Sequence, residues 1–179
     1  WYADSPSQCK QKPYNVGKMK FEENISLRDY STMRLGGKAR YLTRITSAAG
    51  LEKAFEWAQG KKLPVVVIGG GSNIIWNDEG FAGLVIVNRI TGFKSKPINN
   101  RESLFTFGAG EDWDEMVEET VNLGYSGLEF LSWIPGRAGA TPVQNVGAYG
   151  REVSEVLVSV EAIDSQTGKI KAGPATALF

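Results

Sequence analysis

Three consecutive glycines directly behind a short apolar run constrain this chain more than any other segment: Pro64, Val65, Val66, Val67 and Ile68 lead into Gly69, Gly70, Gly71, Ser72 and Asn73. A run of β-branched residues bounded by proline and glycine predicts a buried strand, parallel to the strand before it. Glycine reaches positive φ and lets backbone N–H groups close in on an anion. Ser72 and Asn73 can add side-chain donors, so a diphosphate is the natural guest. The loop lacks the Lys-Ser/Thr pair of a Walker A motif, and Ile74 stands where the dinucleotide fingerprint needs Gly or Ala. A plain tight turn is the alternative, although one glycine generally suffices for a turn.

The stretch from residue 134 to residue 150, IPGRAGATPVQNVGAYG, is the second constraint. Its backbone is punctuated by Pro135, Gly136, Gly139, Pro142, Gly147 and Gly150, and between them stand Ile134, Ala140 and Ala148. It is too long and too apolar for a solvated linker. Such a segment can wrap a flat, mostly apolar ring while its N–H and C=O groups meet the ring's polar edge. Gln144, Asn145 and Tyr149 are its candidate side-chain contacts, whereas Arg137 reads as a solvated loop residue. A compact Ω-loop without a ligand is the alternative.

The remaining periodicity supplies a scaffold. Residues 40–45 read as a strand, and Thr46 or Ser47 can cap the helix that follows. Leu51, Ala54, Phe55 and Ala58 fall on one helical face before Gly60 ends it. Residues 84–87 and 104–110 read as further strands. Asp112 and Glu115 form a capping-box-like pair ahead of a helix burying Trp113, Met116, Val117, Thr120 and Val121, with Gly124 at its C-terminal cap. Residues 156–164 and the segment KIKA form a hairpin. The fold class is α+β with α/β-like subdomains: residues 19–83 form the first and 84–179 the second. Residues 1–18 read as a tail that need not be native, since the chain opens on Trp1 and organised sequence starts after Met19.

Composition excludes several chemistries. The chain has no histidine, which removes Ser-His-Asp triads, histidine metal sites and histidyl-linked cofactors. Its one cysteine, Cys9, cannot form an intrachain disulfide, and a reducing compartment fits best. Twenty basic and twenty acidic residues are scattered to a net charge of zero, so charge points to neither nucleic acid nor a membrane surface. No apolar run approaches the roughly 20 residues needed to span a bilayer.

The motifs carry a resemblance. GGGSN followed by II-x-x-DEGF-x-GLVI, then GAG-x-x-WD, then GLEFL-x-x-IPG-x-x-GA-x-PVQN-x-GAYG-x-E resembles the UDP-N-acetylenolpyruvoylglucosamine reductase family. The likeness runs from about Asn24 to Asp164. YSTMRLGGKARYL also resembles that family's opening pattern, with Ser31 in place of the usual Asn. The resemblance implies the two-subdomain FAD-binding fold of vanillyl-alcohol oxidase and p-cresol hydroxylase type flavoproteins. It also implies non-covalent FAD, NADPH as co-substrate, a UDP-sugar substrate, and a place in bacterial peptidoglycan precursor synthesis in the cytoplasm. By the same resemblance, Gly69 to Asn73 match the diphosphate loop and Ile134 to Gly150 match the segment around the flavin ring. Asn88, Arg89 and Ile90 match a strand end near the flavin pocket.

The family's catalytic arginine, serine and glutamate are expected beyond Phe179, the last two in a C-terminal substrate domain. On this expectation the chain holds cofactor without completing the reaction. A non-catalytic flavin or nucleotide module, or another oxidase of the same superfamily, are the competing readings.

Overall fold

Leu84, Val85, Ile86 and Val87 are each at most 1% exposed, a burial on both faces that only a central strand attains. The computed structural model, which describes residues 19–175, places them in β4 (Phe81–Asn88). The expected tail 1–18, Cys9 within it, and residues 176–179 lie outside the described residues. β4 runs parallel to β2 (Lys38–Ile45) on one side and to β3 (Val65–Ile68) on the other. β1 (Glu22–Ser26) closes the sheet antiparallel to β2, giving the order β1-β2-β4-β3.

Alternation along β4 sorts the core. Leu84 and Ile86 pack with Ile45 against Leu51, Ala54, Phe55 and Ala58 of α1 (Ala48–Gly60). All four helix residues are those predicted from the spacing, and Ser47 caps the helix by accepting from the Gly50 amide at 3.1 Å. Val85 and Val87 face the other way, onto Leu27, Ile68 and Trp76. Trp76 belongs to residues 69–80, the crossover that carries the chain from β3 back to its parallel neighbour β4.

Two sequence expectations change here. The apolar run at β3 is an edge strand, not a buried one: Val67 is 40% exposed, because β4 and not β3 takes the central position. β3 is parallel to β2 but is separated from it by β4. The expected boundary near Gly83 falls inside β4, so the first sheet extends to Asn88. Gly83 marks a close approach and not a linker: a Cβ there would stand 2.2 Å from the Pro64 carbonyl oxygen.

The second half begins with an antiparallel hairpin, β5 (Phe93–Pro97) and β6 (Ser103–Phe107). α2 (Trp113–Asn122) follows, its first turn capped by Asp112, which accepts from the Asp114 amide at 3.2 Å. Trp113, Met116, Val117 and Thr120 are buried as expected, but Val121 is 46% exposed. The long irregular stretch then runs through 3-10 turns and the two-residue strands β7 (Gly147–Ala148) and β8 (Arg151–Glu152). Its core consists of Trp113, Val117, Leu131, Ala138 and Val153. The last hairpin pairs β9 (Ser159–Ile163) with β10 (Ile170–Pro174). Its first strand starts later than expected, because the Val156 and Leu157 amides turn back onto the Val153 carbonyl. This hairpin returns to α1: the Ile170 amide donates to Glu52 at 3.1 Å, and Ile163 packs on the helix core.

Candidate cofactor site

The glycine loop leaves the C-terminal end of β3, and Asn88 stands at the C-terminal end of the adjacent β4. That edge of a parallel sheet is where strand ends and loop amides converge, and where open α/β sheets hold their ligands. Gly71 is buried at φ +76°, and a Cβ there would stand 2.2 Å from the Tyr30 carbonyl oxygen. A side chain is therefore excluded twice, by backbone conformation and by space. Residues 30–31 form the floor beneath it: the Thr32 amide donates to the Gly71 carbonyl at 3.1 Å, and the Ser31 hydroxyl donates to the Ile74 carbonyl at 3.1 Å. Sequence reasoning noted Ser31 only as a departure from a pattern; its burial at 6% exposure, under the glycine loop, identifies its task.

The two sequence-singled loops meet. The Ser72 hydroxyl donates to the Pro135 carbonyl at 3.0 Å, and the Asn73 side-chain amide donates to the Gln144 side chain. A Cβ on Gly69 would press on the Arg137 stem at 3.0 Å, and one on Gly70 would lie 3.8 Å from the Gly136 Cα. Between the loops lies a cleft of about 40 Å3, lined by Ser72, Asn73, Ile134 to Arg137, Ala140, Thr141, Gln144 and Val146, with Trp113 at its base. Among the described residues, no protein acceptor stands against the amides of Gly70, Ser72, Asn73 or Gly136. The cradle is thus a set of free donors around a space that glycines keep open, and it fits a diphosphate.

The second loop differs from its expected form in three respects. Its amides are mostly engaged within the protein: Ala138 donates to Glu111, Gly139 to Ala109, and Val146 to Thr141. Asn145 is not among the residues that line the cleft. It sits at φ +45°, donates to Glu152 at 2.6 Å and accepts from the Ser154 amide at 3.1 Å, so it fixes the turn. Arg137 is not a solvated loop residue; it is half-buried and ties the second loop to the start of α2, 3.6 Å from Asp112 and 3.4 Å from the Gly110 carbonyl. Gly147 and Ala148 are in β7, and Gly150 follows at φ +77° beside Tyr149, which is 88% exposed. Gln144 is exposed and lines the cleft, where its side chain accepts from Asn73.

Asp114 braces the entry to the second loop. It accepts from the Ser132 hydroxyl and from the Trp133 amide, both at 2.7 Å. The Trp133 amide first, and the Ser132 hydroxyl second, hold its carboxyl below the ordinary carboxylate value. Trp133 itself is left at φ +62° and 82% exposed, on the approach to Ile134. A larger hollow of about 480 Å3 lies on the outer side of α2, lined by Phe93, Glu115, Met116, Glu118, Glu119 and Asn122. Its three carboxylates repel a diphosphate, so the smaller cleft is the candidate site.

A parallel-sheet edge with a glycine-lined anion cradle, closed by a second loop from the neighbouring subdomain, defines a nucleotide-cofactor-binding protein. Residues 39–173 match the family model described as an FAD binding domain, and the chain belongs to that family. FAD is therefore its cofactor, and the cradle suits the diphosphate of that molecule. The chain is 46% identical over 146 residues to the UDP-N-acetylenolpyruvoylglucosamine reductase of Saccharopolyspora erythraea, covering 82% of this chain and 40% of that protein. It is 40% identical over 156 residues to the same-named protein of Salinispora arenicola, covering 87% of this chain and 43% of that one. The chain thus spans well under half the length of these relatives. Among solved structures, the UDP-N-acetylenolpyruvylglucosamine reductase of Thermus caldophilus superposes with a TM-score of 0.70 at 27% identity, over 89% of this chain and 54% of that one. The 6-hydroxy-D-nicotine oxidase of Arthrobacter nicotinovorans shares the fold at a TM-score of 0.62 and 17% identity, over 90% of this chain and 36% of its own. The fold is the α+β FAD-binding fold of the vanillyl-alcohol oxidase type, as the resemblance implied. No helix among the described residues is long and apolar enough to cross a membrane.

Proposed function

We propose that this chain is the FAD-holding part of an NADPH-dependent reductase that converts UDP-N-acetylenolpyruvoylglucosamine to UDP-N-acetylmuramate, a step of bacterial peptidoglycan precursor synthesis. The observation that carries the reading is the contact between the two glycine-rich loops, Ser72 on Pro135 and Asn73 on Gln144, around a cleft of free amides. Identity of 40–46% to reductases of that name supports the choice of reaction. Since UDP-sugars and NADPH are cytoplasmic metabolites, the reading places the protein in the cytoplasm.

In this reading Gly69 to Asn73 take the diphosphate on their amides and on the Ser72 and Asn73 side chains. Ile134, Pro135, Gly136, Gly139, Ala140 and Pro142 form the wall beside the ring. Gln144 orients it, and Asn145, Gly147, Ala148, Tyr149 and Gly150 hold the far side of the segment. FAD, when bound, supplies hydride transfer between NADPH and the enolpyruvyl double bond. The chain's own work is to bind and orient: Gly71 keeps the backbone close, and Trp113 gives the cleft a rigid apolar base.

Proton delivery is a separate task. Among the described residues, no carboxylic acid lines the cleft, and the chain has no histidine. A missing general acid typically costs about 10²- to 10⁴-fold. The two loops account for cofactor binding and identify no proton donor, so the expected result for the 179-residue polypeptide is FAD binding without NADPH-dependent turnover of the enolpyruvyl substrate. Steady-state assay at saturating FAD checks this; turnover above the protein-free background would contradict the division of labour. A covalent-flavin oxidase is the second reading within the superfamily. Release of all flavin on denaturation separates the two, because an oxidase of that kind keeps its flavin attached.

A further inference from the structure

The cleft is lined by amides, hydroxyls, one carboxamide pair and apolar groups, and a single charged side chain, Arg137. Its stem lies against the glycine loop, close enough that a Cβ on Gly69 would touch Arg137 Cβ and Cγ at 3.0 Å and one on Gly70 would lie 4.0 Å from Arg137 Nε. The guanidinium is held by long contacts only: 3.6 Å to the Asp112 carboxylate and 3.4 Å to the Gly110 carbonyl. Both lie at or beyond the range of a strong charge-assisted bond. The side chain is 29% exposed, and Arg137 lines the cleft.

A diphosphate carries two negative charges. Backbone amides offer partial charge only, whereas a guanidinium offers a full charge and a planar fork that matches phosphate oxygens. We infer that Arg137 is the cation of this cradle: it leaves its long contact with Asp112 and donates to the diphosphate of the bound dinucleotide. The inference rests on the proposed FAD reading and adds the residue that sets its charge dependence. Asp112 then has a second task besides capping α2. It parks the guanidinium beside the glycine loop while the cleft is empty, and it competes with the ligand for it.

The test is titration of the full chain and three variants with FAD at low and high sodium chloride, read by flavin fluorescence, with thermal unfolding of each protein in the absence of ligand. Arg137→Gln should weaken FAD binding about tenfold or more and flatten its salt dependence, since a charge-assisted bond is lost. Arg137→Lys keeps the charge and should retain most of the salt dependence while losing part of the affinity. Asp112→Asn, which remains a good helix cap, should bind FAD as tightly as the parent chain or more tightly. Arg137→Gln binding FAD with the parent affinity and salt slope would overturn the inference. So would equal weakening by Arg137→Gln and Asp112→Asn, which is the signature of a merely structural ion pair. If the parent chain itself leaves FAD fluorescence unchanged, the FAD reading fails and the inference with it. That outcome is distinct from any failure confined to the variants.

Discussion

Replacing Gly71 by alanine should destabilise the chain by about 3 kcal/mol and remove FAD binding. The cost has two parts. A non-glycine residue at φ +76° costs roughly 1–2 kcal/mol. The new Cβ would also stand 2.2 Å from the Tyr30 carbonyl oxygen and 2.8 Å from its carbon, both backbone atoms that cannot rotate away. The loop must then lift from the floor formed by residues 30–31, which breaks the 3.1 Å bond from the Thr32 amide to Gly71. For a domain of this size, about 3 kcal/mol corresponds to a fall in melting temperature on the order of 10 °C. Gly60 provides the control: it lies in α1 and a Cβ there meets nothing within 4 Å, so Gly60→Ala should leave FAD binding unchanged and leave stability equal or raised by up to about 1 kcal/mol. Thermal unfolding and flavin titration of the two variants give the comparison. Equal behaviour of the two would show that the glycine loop is an ordinary turn.

The second large effect is expected at Trp113. It is 2% exposed, packs with Val117, Leu131, Ala138 and Val153, and donates from its indole nitrogen to the Leu131 carbonyl at 2.8 Å. It also forms the base of the cleft. Trp113→Ala removes the largest buried side chain of the second subdomain, a change that typically costs 3–5 kcal/mol. It also leaves the Leu131 carbonyl without its partner, which adds a desolvation cost of about 1 kcal/mol or more. Trp113→Phe should recover most of the packing but not the bond to Leu131, and so fall between. In chemical denaturation the order of midpoints should be parent, Phe, Ala. An Ala variant as stable as the parent would remove Trp113 from the core.

Local signals were legible where one physical cause dominated. The α1 face is set by spacing alone, and Leu51, Ala54, Phe55 and Ala58 are all buried. Ser47 caps that helix because a short hydroxyl side chain can reach a free amide. The two glycine-rich loops stood out because no simple turn needs so many glycines, and they meet in space. Strand position was less legible. The runs at β3 and β4 are both continuous and apolar, and nothing local says which lies at the centre; pairing order decides it. β5 escaped notice because Lys94, Ser95 and Lys96 face solvent and carry no alternation. Side-chain roles in the second loop were the least legible. Asn145 and Arg137 differ in task only through distant partners: Glu152 and Ser154 engage the first, whereas Asp112 and the glycine loop flank the second.

The most direct measurement of the central claim is equilibrium titration of the 179-residue chain with FAD, followed by flavin fluorescence and by melting temperature. A filled cradle should quench or shift the flavin emission at micromolar protein, and it should raise the melting temperature as ligand exceeds its dissociation constant. Unchanged emission together with an unchanged melting temperature, in a chain shown to be folded, would contradict the account.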